Sequence, residues 1–301
     1  MSLLEELNQR VGLSEQLVFT LSRDDTPIAQ VNTDLCRAQI TLQGAQVFSW
    51  VPAGEQEVIW LSEQALFAPA KSLRGGVPVC WPWFGPHATH KEFPAHGFAR
   101  SVDWSVKQSQ LLDDGRVSLA FELESNANLH AMWPADCRLT LHMTFGHSLE
   151  LELVTENTGQ QSQTISEALH TYFAVTDVRQ VQVYGLENTD YLDKVDGYTP
   201  KHQAGAVTID AEVDRVYLDT ESECIIDDVA GQRHIHIQKR GSRSTVVWNP
   251  WQDKAEAMGD MGEQGYLSML CVESANAMQN AVTIPAGQSH RLWVKYHVTK
   301  R

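Results

Sequence analysis

The chain has 301 residues, of which 43% are hydrophobic and 8% aromatic, a composition typical of a globular protein with a sizeable apolar core. The formal net charge of −15 argues against nucleic-acid binding, because the sequence offers no stripe of lysine and arginine to contact phosphates. Binding of a small anionic substrate is compatible with this net charge. Surface charges are screened beyond roughly 8 Å at physiological salt, so arginines inside a pocket determine the local electrostatic field.

The N-terminal segment is the first predicted element, and its first ten residues, MSLLEELNQR, indicate a short helix. The segment has neither the basic start nor the apolar stretch of a secretory signal. No apolar run reaches the ~18 residues of a membrane helix. The five cysteines are scattered and form no C-x-x-C pair, which indicates reduced thiols. We therefore expect a cytoplasmic protein that does not bind membranes.

Alternating apolar and polar residues dominate the rest of the chain and predict short strands. The pattern is clear at residues 117–123 and 149–153, and it recurs at 57–62, 164–175, 233–238, 266–274 and 290–299. Gly-containing turns separate these segments, and only residues 253–258 add a second helical pattern. More than ten strands with almost no crossover helices predict antiparallel sheets stacked as a large sandwich. We expect one all-β domain over residues 1–301, with few short helices.

The segment 73–100, LRGGVPVCWPWFGPHATHKEFPAHGFAR, is too kinked for a core strand and too aromatic for a solvated loop. Arg74 precedes two glycines, where the backbone can approach a ligand closely, and Arg100 ends the segment. A planar guanidinium suits phosphate because it donates two parallel charge-assisted hydrogen bonds. The alternative is that each arginine caps carbonyl groups or pairs with a surface carboxylate.

Histidines make a metal site a further hypothesis for the same segment and for one strand. His87, His90 and His96 lie close in sequence, but no carboxylate or cysteine completes a tight cluster. His234 and His236 would point to one side of a strand, as in a cupin-type site, but the expected glutamate is missing. The pattern therefore favours no bound metal.

Two later segments each place one candidate for proton transfer beside apolar residues. In SEALHTYF, strand alternation puts Ala168, His170 and Tyr172 on one face, where a histidine can be tuned for proton transfer or simply be a satisfied core residue. In YLSMLCVESAN, Glu273 ends an apolar row. A carboxylate there is either a general base with a raised pKa or a strand-end group that faces water.

Six stretches, in this order, resemble one family: SLRGGVPVCWPWFG, PAHGFAR, EALHTYFAV, VDRVYL, VVWNPW and CVESAN. They are similar to the bacterial and fungal hexose-6-phosphate mutarotases, also called glucose-6-phosphate 1-epimerases, of the aldose 1-epimerase superfamily. The resemblance spans about residues 34–298. It implies a galactose-mutarotase-like β-sandwich, in agreement with the strand pattern.

The resemblance also implies a catalytic pair and a mechanism. His170 and Glu273 would catalyse the exchange of α and β anomers of a hexose 6-phosphate. Glu273 would take the proton of the C1 hydroxyl while His170 protonates the ring oxygen, and the roles reverse on closure. Each transfer can contribute about 10²–10⁴ in rate, without a cofactor.

Four further residues would bind the substrate. Arg74 and Arg100 would hold the phosphate, and His96 and Asp214 would contact sugar hydroxyls. Mutarotases of unphosphorylated hexoses lack this arginine pairing in the same form, which favours a sugar phosphate, with glucose 6-phosphate first, as the small-molecule partner. We expect the protein to act as a monomer.

Two other functions stay open from the sequence. A non-catalytic carbohydrate-binding or regulatory sandwich would keep an aromatic platform formed by Trp81, Trp83, Trp248 and Trp251, although these can equally be core residues. A retaining glycosidase needs two carboxylates about 5 Å apart, and only Glu273, with Asp214 as a weak second, is a candidate.

Overall fold

The computed structural model describes residues 1–124 and 127–301. Within these residues it contains three α-helices: α1 (Leu3–Val11), α2 (Ala127–Met132) and α3 (Trp251–Met258). Ser2 and Glu5 form a capping box at the start of α1, and Leu7 and Val11 are buried, so both local and tertiary contacts stabilise this helix. The helix predictions for the N-terminus and for residues 253–258 are confirmed, whereas α2 was not predicted.

The strands carry most of the chain. In chain order the first twelve are β1 (Leu17–Leu21), β2 (Pro27–Asn32), β3 (Cys36–Thr41), β4 (Val47–Pro52), β5 (Val79–Cys80), β6 (Ser105–Leu111), β7 (Val117–Glu124), β8 (Cys137–Phe145), β9 (Ser148–Asn157), β10 (Gln163–Ile165), β11 (Glu167–Leu169) and β12 (Tyr172–Ala174). The others are β13 (Val181–Tyr184), β14 (Thr189–Asp193), β15 (Thr199–Gln203), β16 (Val207–Thr208), β17 (Val213–Tyr217), β18 (Cys224–Asp228), β19 (Arg233–Arg240), β20 (Ser244–Asn249), β21 (Met269–Asn276), β22 (Val282–Ile284) and β23 (Ser289–Lys300).

Two large antiparallel sheets form the body of the fold. One has nine strands in the order β16-β13-β18-β19-β23-β9-β8-β7-β6. The other has eight, in the order β15-β14-β17-β20-β21-β11-β5, with β12 also paired to β21. A four-stranded sheet, β1-β2-β3-β4, and the pair β10-β22 complete the described pairing. The predicted all-β architecture is confirmed.

The apolar core lies between the two large sheets. Leu270 and Val272 of β21 belong to the same buried cluster as Leu151 and Leu153 of β9. Phe173 and Tyr296 meet edge to face across the sheets, with ring centroids 5.1 Å apart. Because side chains alternate along a strand, the other face of the eight-stranded sheet is left to line a different space.

That outer face carries a second, smaller set of buried residues. Met269 and Cys271 of β21 pack there with Tyr172 and Trp248, apart from the main core. Glu273 follows on the same face by the alternation of β21. The outer face of the eight-stranded sheet therefore combines an apolar floor with a buried carboxyl group.

One predicted strand forms differently. Residues 57–62 make isolated bridges, Ile59 with Phe173 and Leu61 with Gly75, because the segment divides its backbone hydrogen bonds between two neighbours. The N–H of Trp60 donates to Tyr172, and that of Ser62 donates to Arg74. This correction matters for the site, since the segment links residue 74 to residue 172.

Two further expectations concern the whole chain. All five cysteines are buried and free, which confirms the expected reduced thiols. In the described ranges, no helix combines the length and the apolar character needed to cross a bilayer.

Candidate active site

All six residues singled out from the sequence line one pocket of about 240 Å³ on the outer face of the eight-stranded sheet. They come from five separate parts of the chain: Arg74; His96 and Arg100; His170; Asp214; Glu273. A larger cleft, of about 700 Å³, lies beside α1 and holds none of them. We place the site by its chemistry, because the smaller pocket brings a buried histidine and a buried glutamate together with two arginines.

His170 lies directly across from Glu273. The strand predicted through residue 170 is interrupted there, since β11 ends at Leu169 and β12 starts at Tyr172. Leu169 pairs with Ser274 and Tyr172 with Cys271, so one register continues across the gap. Directly opposed residues have neighbouring side chains. His170 Nε2 accordingly lies 3.3 Å from Glu273 Oε1.

The segment after Arg74 runs along the side of residues 168–172 that faces away from β21, and it continues the pairing of β5 with β11. The N–H of His170 donates to Pro78 O at 3.0 Å, and that of Tyr172 donates to Gly76 O at 2.9 Å. The phenol ring of Tyr172 stacks on His170, with centroids 5.0 Å apart. The histidine is thus held by backbone on one side and by an aromatic ring on the other.

Burial pushes the pKa values of the pair in opposite directions. It raises the pKa of Glu273 well above its usual range, and the nearby Asp214 raises it further. It lowers the pKa of His170, and His96 and Arg100 add to that effect. Both directions favour a protonated Glu273 and a neutral His170. The pKa directions therefore place the proton of this pair on Glu273.

Each member of the pair also has a buried atom without a partner. Among the described residues, His170 Nδ1 and Glu273 Oε2 make no hydrogen bond within the protein. Such orphaned groups are costly in a native structure and are found where a ligand or function uses them.

Arg74 lies at one end of the pocket and is already engaged. Its Nε donates to Asp260 Oδ1 at 2.9 Å, and Nη1 donates to the hydroxyl of Tyr172 at 3.1 Å. Burial alone would lower the pKa of Arg74, but Tyr172 and Asp260 outweigh it and raise that pKa. Sequence reasoning missed Asp260, which lies in the loop after α3 and contacts Arg74.

Glycines allow the backbone beside Arg74 to pack tightly. Gly75 has φ +120°, and a Cβ there would lie 2.5 Å from Trp60 O. Gly76 has φ +71° and is equally close to the carbonyl of Val47, at 2.6 Å. Only glycine fits such close backbone contacts, which agrees with the expectation that the glycine pair lets the backbone of this segment pack closely.

A third glycine sets the position of His96 and Arg100. Gly97 has φ +73°, and a Cβ there would come within 1.9 Å of Trp81 O. The next N–H, of Phe98, donates to the same carbonyl at 3.1 Å. This close approach fixes the turn at Gly97, and the turn in turn places His96 and Arg100 at the pocket.

Arg100 is the pocket cation without a carboxylate partner in the described ranges. Its Nη2 donates to the carbonyl of Ala95 at 2.9 Å, and no ion pair involves it there. His96 lies beside it and receives the N–H of Gly85 on Nδ1 at 3.4 Å. Burial, followed by Arg100 and Lys194, lowers the pKa of His96 to about 3. A neutral ring that accepts on Nδ1 carries its proton on Nε2, where it can donate to a ligand.

Asp214 enters from β17, paired with a lysine that the sequence did not indicate. Lys194 Nζ lies 2.8 Å from Asp214 Oδ2. Lys194, Lys254 and Tyr172 also line the pocket. Alternation with His170 pointed to Tyr172, but no local pattern marks the lysines.

The tryptophans divide between core and site. Trp248 lines the pocket, whereas Trp81 is buried in the main core and Trp83 and Trp251 pack against it. The proposed four-membered platform is therefore not formed.

The other histidines lie outside the pocket. His87 Nδ1 accepts the N–H of His90 within an exposed loop, and His234 and His236 lie on β19 of the other sheet. In the part of the chain that the structure describes, no three His, Cys, Asp or Glu side chains are arranged to hold a metal ion.

Comparisons with known proteins agree with this fold and site. Residues 28–297 match the family model described as aldose 1-epimerase. A protein of Escherichia coli (strain K12) named "Putative glucose-6-phosphate 1-epimerase" is 40% identical over 269 residues, 88% of this chain and 89% of that protein.

Solved structures extend the likeness. A crystal structure described as "a putative mutarotase (YeaD) from Salmonella typhimurium" has a TM-score of 0.89 and 34% identity, and the match covers 100% of both chains. A galactose mutarotase related enzyme from Lactobacillus acidophilus has a TM-score of 0.72 at 12% identity, over 91% of this chain and 97% of that one, and shows a shared fold alone. The predicted galactose-mutarotase-like sandwich is confirmed.

The raised pKa of Glu273 predicts a pH-dependent gain in stability for Glu273→Gln. A carboxyl with a raised pKa stabilises the native state below its unfolded pKa of about 4.3, and this contribution is lost as pH rises through the folded pKa. The amide does not ionise. We expect its advantage in free energy of unfolding to grow between pH 5 and pH 8, to about 1–3 kcal/mol. Urea unfolding at each pH measures this, with exposed Glu63 as the matched Glu→Gln control. A difference that does not change with pH would contradict it.

Gly97→Ala tests the close approach that places Arg100. We expect a loss of about 2–4 kcal/mol, since the new Cβ adds overpacking to the cost of a positive φ. Gly54→Ala is the control, because Gly54 also has a positive φ (+81°) but has no heavy atom within 4 Å of the added Cβ. Equal losses for the two variants in urea unfolding would show that the contact with Trp81 is unimportant.

Proposed function

The chain belongs to the aldose 1-epimerase family and is an isomerase that acts on sugars; from this premise we propose that it interconverts the α and β anomers of a hexose 6-phosphate, with glucose 6-phosphate as the first candidate. The observation that carries the proposal is the contact of His170 Nε2 with Glu273 Oε1, at 3.3 Å, in a pocket that also holds Arg74 and Arg100. An acid–base pair and an anion-binding group are the two things this reaction requires.

The reaction itself is a pair of proton transfers. Glu273, as the carboxylate, takes the proton of the C1 hydroxyl, and the bond between C1 and the ring oxygen breaks. His170, as the imidazolium, gives its proton to that oxygen, which leaves as a hydroxyl. Rotation about C1–C2 and closure with the roles reversed produce the other anomer. The chemistry needs no cofactor.

The proton of the pair must be on His170 before the ring opens. The pKa directions favour Glu273 as the group that holds this proton. Arg100 and Arg74 are among the groups that lower the pKa of His170. An anion at Arg100 raises the pKa of both partners, because Arg100 lowers the pKa of Glu273 as well as that of His170. Offsetting the charge of Arg74 raises the pKa of His170, which favours transfer of the proton across the 3.3 Å contact to His170.

The two arginines have unequal parts in anion binding. Arg100 has no acidic partner among the described residues, so a phosphate meets an uncompensated cation there. Arg74 must share its guanidinium with Asp260, at 2.9 Å. Its contribution therefore includes orientation of Tyr172 and of the ring stacked on it. Remote binding of the phosphate would align the sugar with the pair.

A non-catalytic sugar-binding role is the second candidate. It gives no reason for a glutamate that is 2% exposed and has an unpartnered oxygen. The buried pair favours catalysis.

Further expectations accompany the proposal. One apolar cluster contains residues from Leu7 to Tyr296, which supports the interpretation of residues 1–301 as one domain. The free, buried cysteines are compatible with a cytoplasmic location. The monomeric state stays a prediction.

His170→Ala and Glu273→Ala test the catalytic pair. Each should reduce enzyme-accelerated anomer exchange of glucose 6-phosphate by at least about 10²-fold, because one proton transfer is lost. Two-dimensional NMR exchange spectroscopy measures the rate, and thermal unfolding verifies the fold. His87→Ala, in the exposed loop, is the matched control. Exchange at the wild-type rate in either pair variant would refute the assignment. Release of product from glycosides would instead indicate a glycosidase.

Arg100→Ala and Arg74→Ala test the phosphate site. We expect both to weaken kcat/KM for glucose 6-phosphate far more than for glucose, about 10²-fold for Arg100 and less for Arg74, since a charge-assisted hydrogen bond contributes roughly 1.5–3 kcal/mol. Arg243→Ala removes an exposed, paired arginine as a control. Equal losses for the two sugars would remove the phosphate assignment.

A further inference from the structure

We infer that Lys194 is a positioning residue of this pocket, which holds Asp214 against the sugar site and supplies the positive charge that lets Asp214 and Glu273 be ionised together. The inference rests on the proposed function and adds to it a residue that no sequence motif marks. It concerns how two carboxyl groups share one buried pocket.

Two hydrogen bonds tie Lys194 to Asp214. The backbone N–H of Lys194 donates to Asp214 O at 2.8 Å, which continues the pairing of β14 with β17 one step beyond Asp193. The ammonium group then donates to Asp214 Oδ2, also at 2.8 Å. The backbone and the side chain of Lys194 therefore both bind Asp214, and together they fix the position of the Asp214 carboxylate.

The burial of this ion pair makes it more than a surface contact. The side chains of Lys194 and Asp214 are 26% and 9% exposed. Exposed ion pairs contribute little because water screens them, and this screening is weaker here. Removing one partner would leave a largely buried charge uncompensated.

Glu273 lies in the same electrostatic environment. Asp214 opposes Trp248 of β20, and Val246 of that strand opposes Glu273, so both carboxyl groups rise from one face of the sheet. Burial and Asp214 raise the pKa of Glu273, and Lys194 counters them. Two carboxylates without that cation would compete for a proton.

Lys194 and Arg100 both lower the pKa of Glu273. A bound phosphate would engage Arg100, which leaves Lys194 as the cation that still favours the carboxylate. The charged and titratable groups around Glu273 are His170, between β11 and β12; Asp214, on β17; Lys194, after β14; Arg100, after β5; Cys80, on β5; and Cys271, on β21.

Lys254 is a matched comparison in the same pocket. It lies on α3, is 43% exposed and pairs with Glu212 at 2.6 Å. Lys254 helps to lower the pKa of Asp214, whereas the pKa of Glu273 is shifted by burial, Asp214, Lys194 and Arg100. Removal of Lys254 therefore takes away one positive charge at the rim and leaves the contact of Lys194 with Asp214 intact. Comparing variants of the two lysines therefore distinguishes an effect of the net charge of the pocket from an effect of the contact between Lys194 and Asp214.

The experiment is the pH profile of kcat/KM for glucose 6-phosphate in four variants. In Lys194→Met and Lys194→Gln we expect the acid limb to move about one unit higher, which is a tenfold loss on that limb, because the carboxyls hold their protons more tightly. KM should rise more in the Met variant, since Gln keeps a donor for Asp214. Lys194→Arg should stay within about threefold of the wild type. Lys254→Met should keep the wild-type acid limb, whatever its KM.

A folded Lys194→Met or Lys194→Gln protein with an unmoved acid limb would overturn the inference. An equal shift in Lys254→Met would overturn it too, because net charge would then suffice. Failure of the proposed function is recognised separately, as a wild-type protein that does not accelerate anomer exchange.

A second readout does not need activity. Glutamate labelled with ¹³C at the side-chain carboxyl permits NMR titration, with the Glu273 resonance assigned by its loss in Glu273→Gln. We expect a higher midpoint in Lys194→Gln than in wild type. The same midpoint in both proteins would overturn the inference even if the substrate is a different sugar.

Discussion

The register of β21 against β11 and β12 is the constraint on which the site depends. It places Glu273 across from His170 at a point where the ladder of hydrogen bonds is interrupted, with Leu169–Ser274 and Tyr172–Cys271 paired on either side. A shift by one residue would turn Glu273 into the core between the sheets and replace it by an apolar neighbour. Every other pocket group lies around this pair, and none could substitute for its alignment.

The pocket buries several charged and titratable side chains, an arrangement that does not stabilise the folded protein. A glutamate and a histidine are buried with unpartnered atoms, and the cations beside them have unequal freedom: Arg74 is paired with Asp260, Lys194 with Asp214, and Arg100 with no carboxylate in the described ranges. Buried polar atoms without a hydrogen-bond partner cost stability. The arrangement leaves an uncompensated positive charge where an anionic group of a substrate would bind, next to an acid–base pair that responds to that charge.

Much of the fold could be read from the sequence, but less of the site. The alternation that predicts strands also predicts which residues share a face, as with Met269, Cys271 and Glu273 of β21. It failed at residues 57–62, whose partners lie on two sides, and at residue 170, where a continuous strand was expected. Asp260 was missed because its loop has no motif, and its contact with Arg74 depends on where α3 ends. The roles of the six site residues stay predictions, although all six line one pocket.

What the sequence alone determined is local: strand periodicity, turns, glycines that allow close backbone approach, and the motifs that indicate the aldose 1-epimerase family. These follow from the chain's own steric and hydrophobic preferences. Only the tertiary structure decided that His170 contacts Glu273, that Lys194 holds Asp214, and that Arg100 is left without a carboxylate partner among the described residues. Such contacts join strands and loops far apart in the chain, and their geometry is set by long-range pairing and packing, which local patterns do not specify.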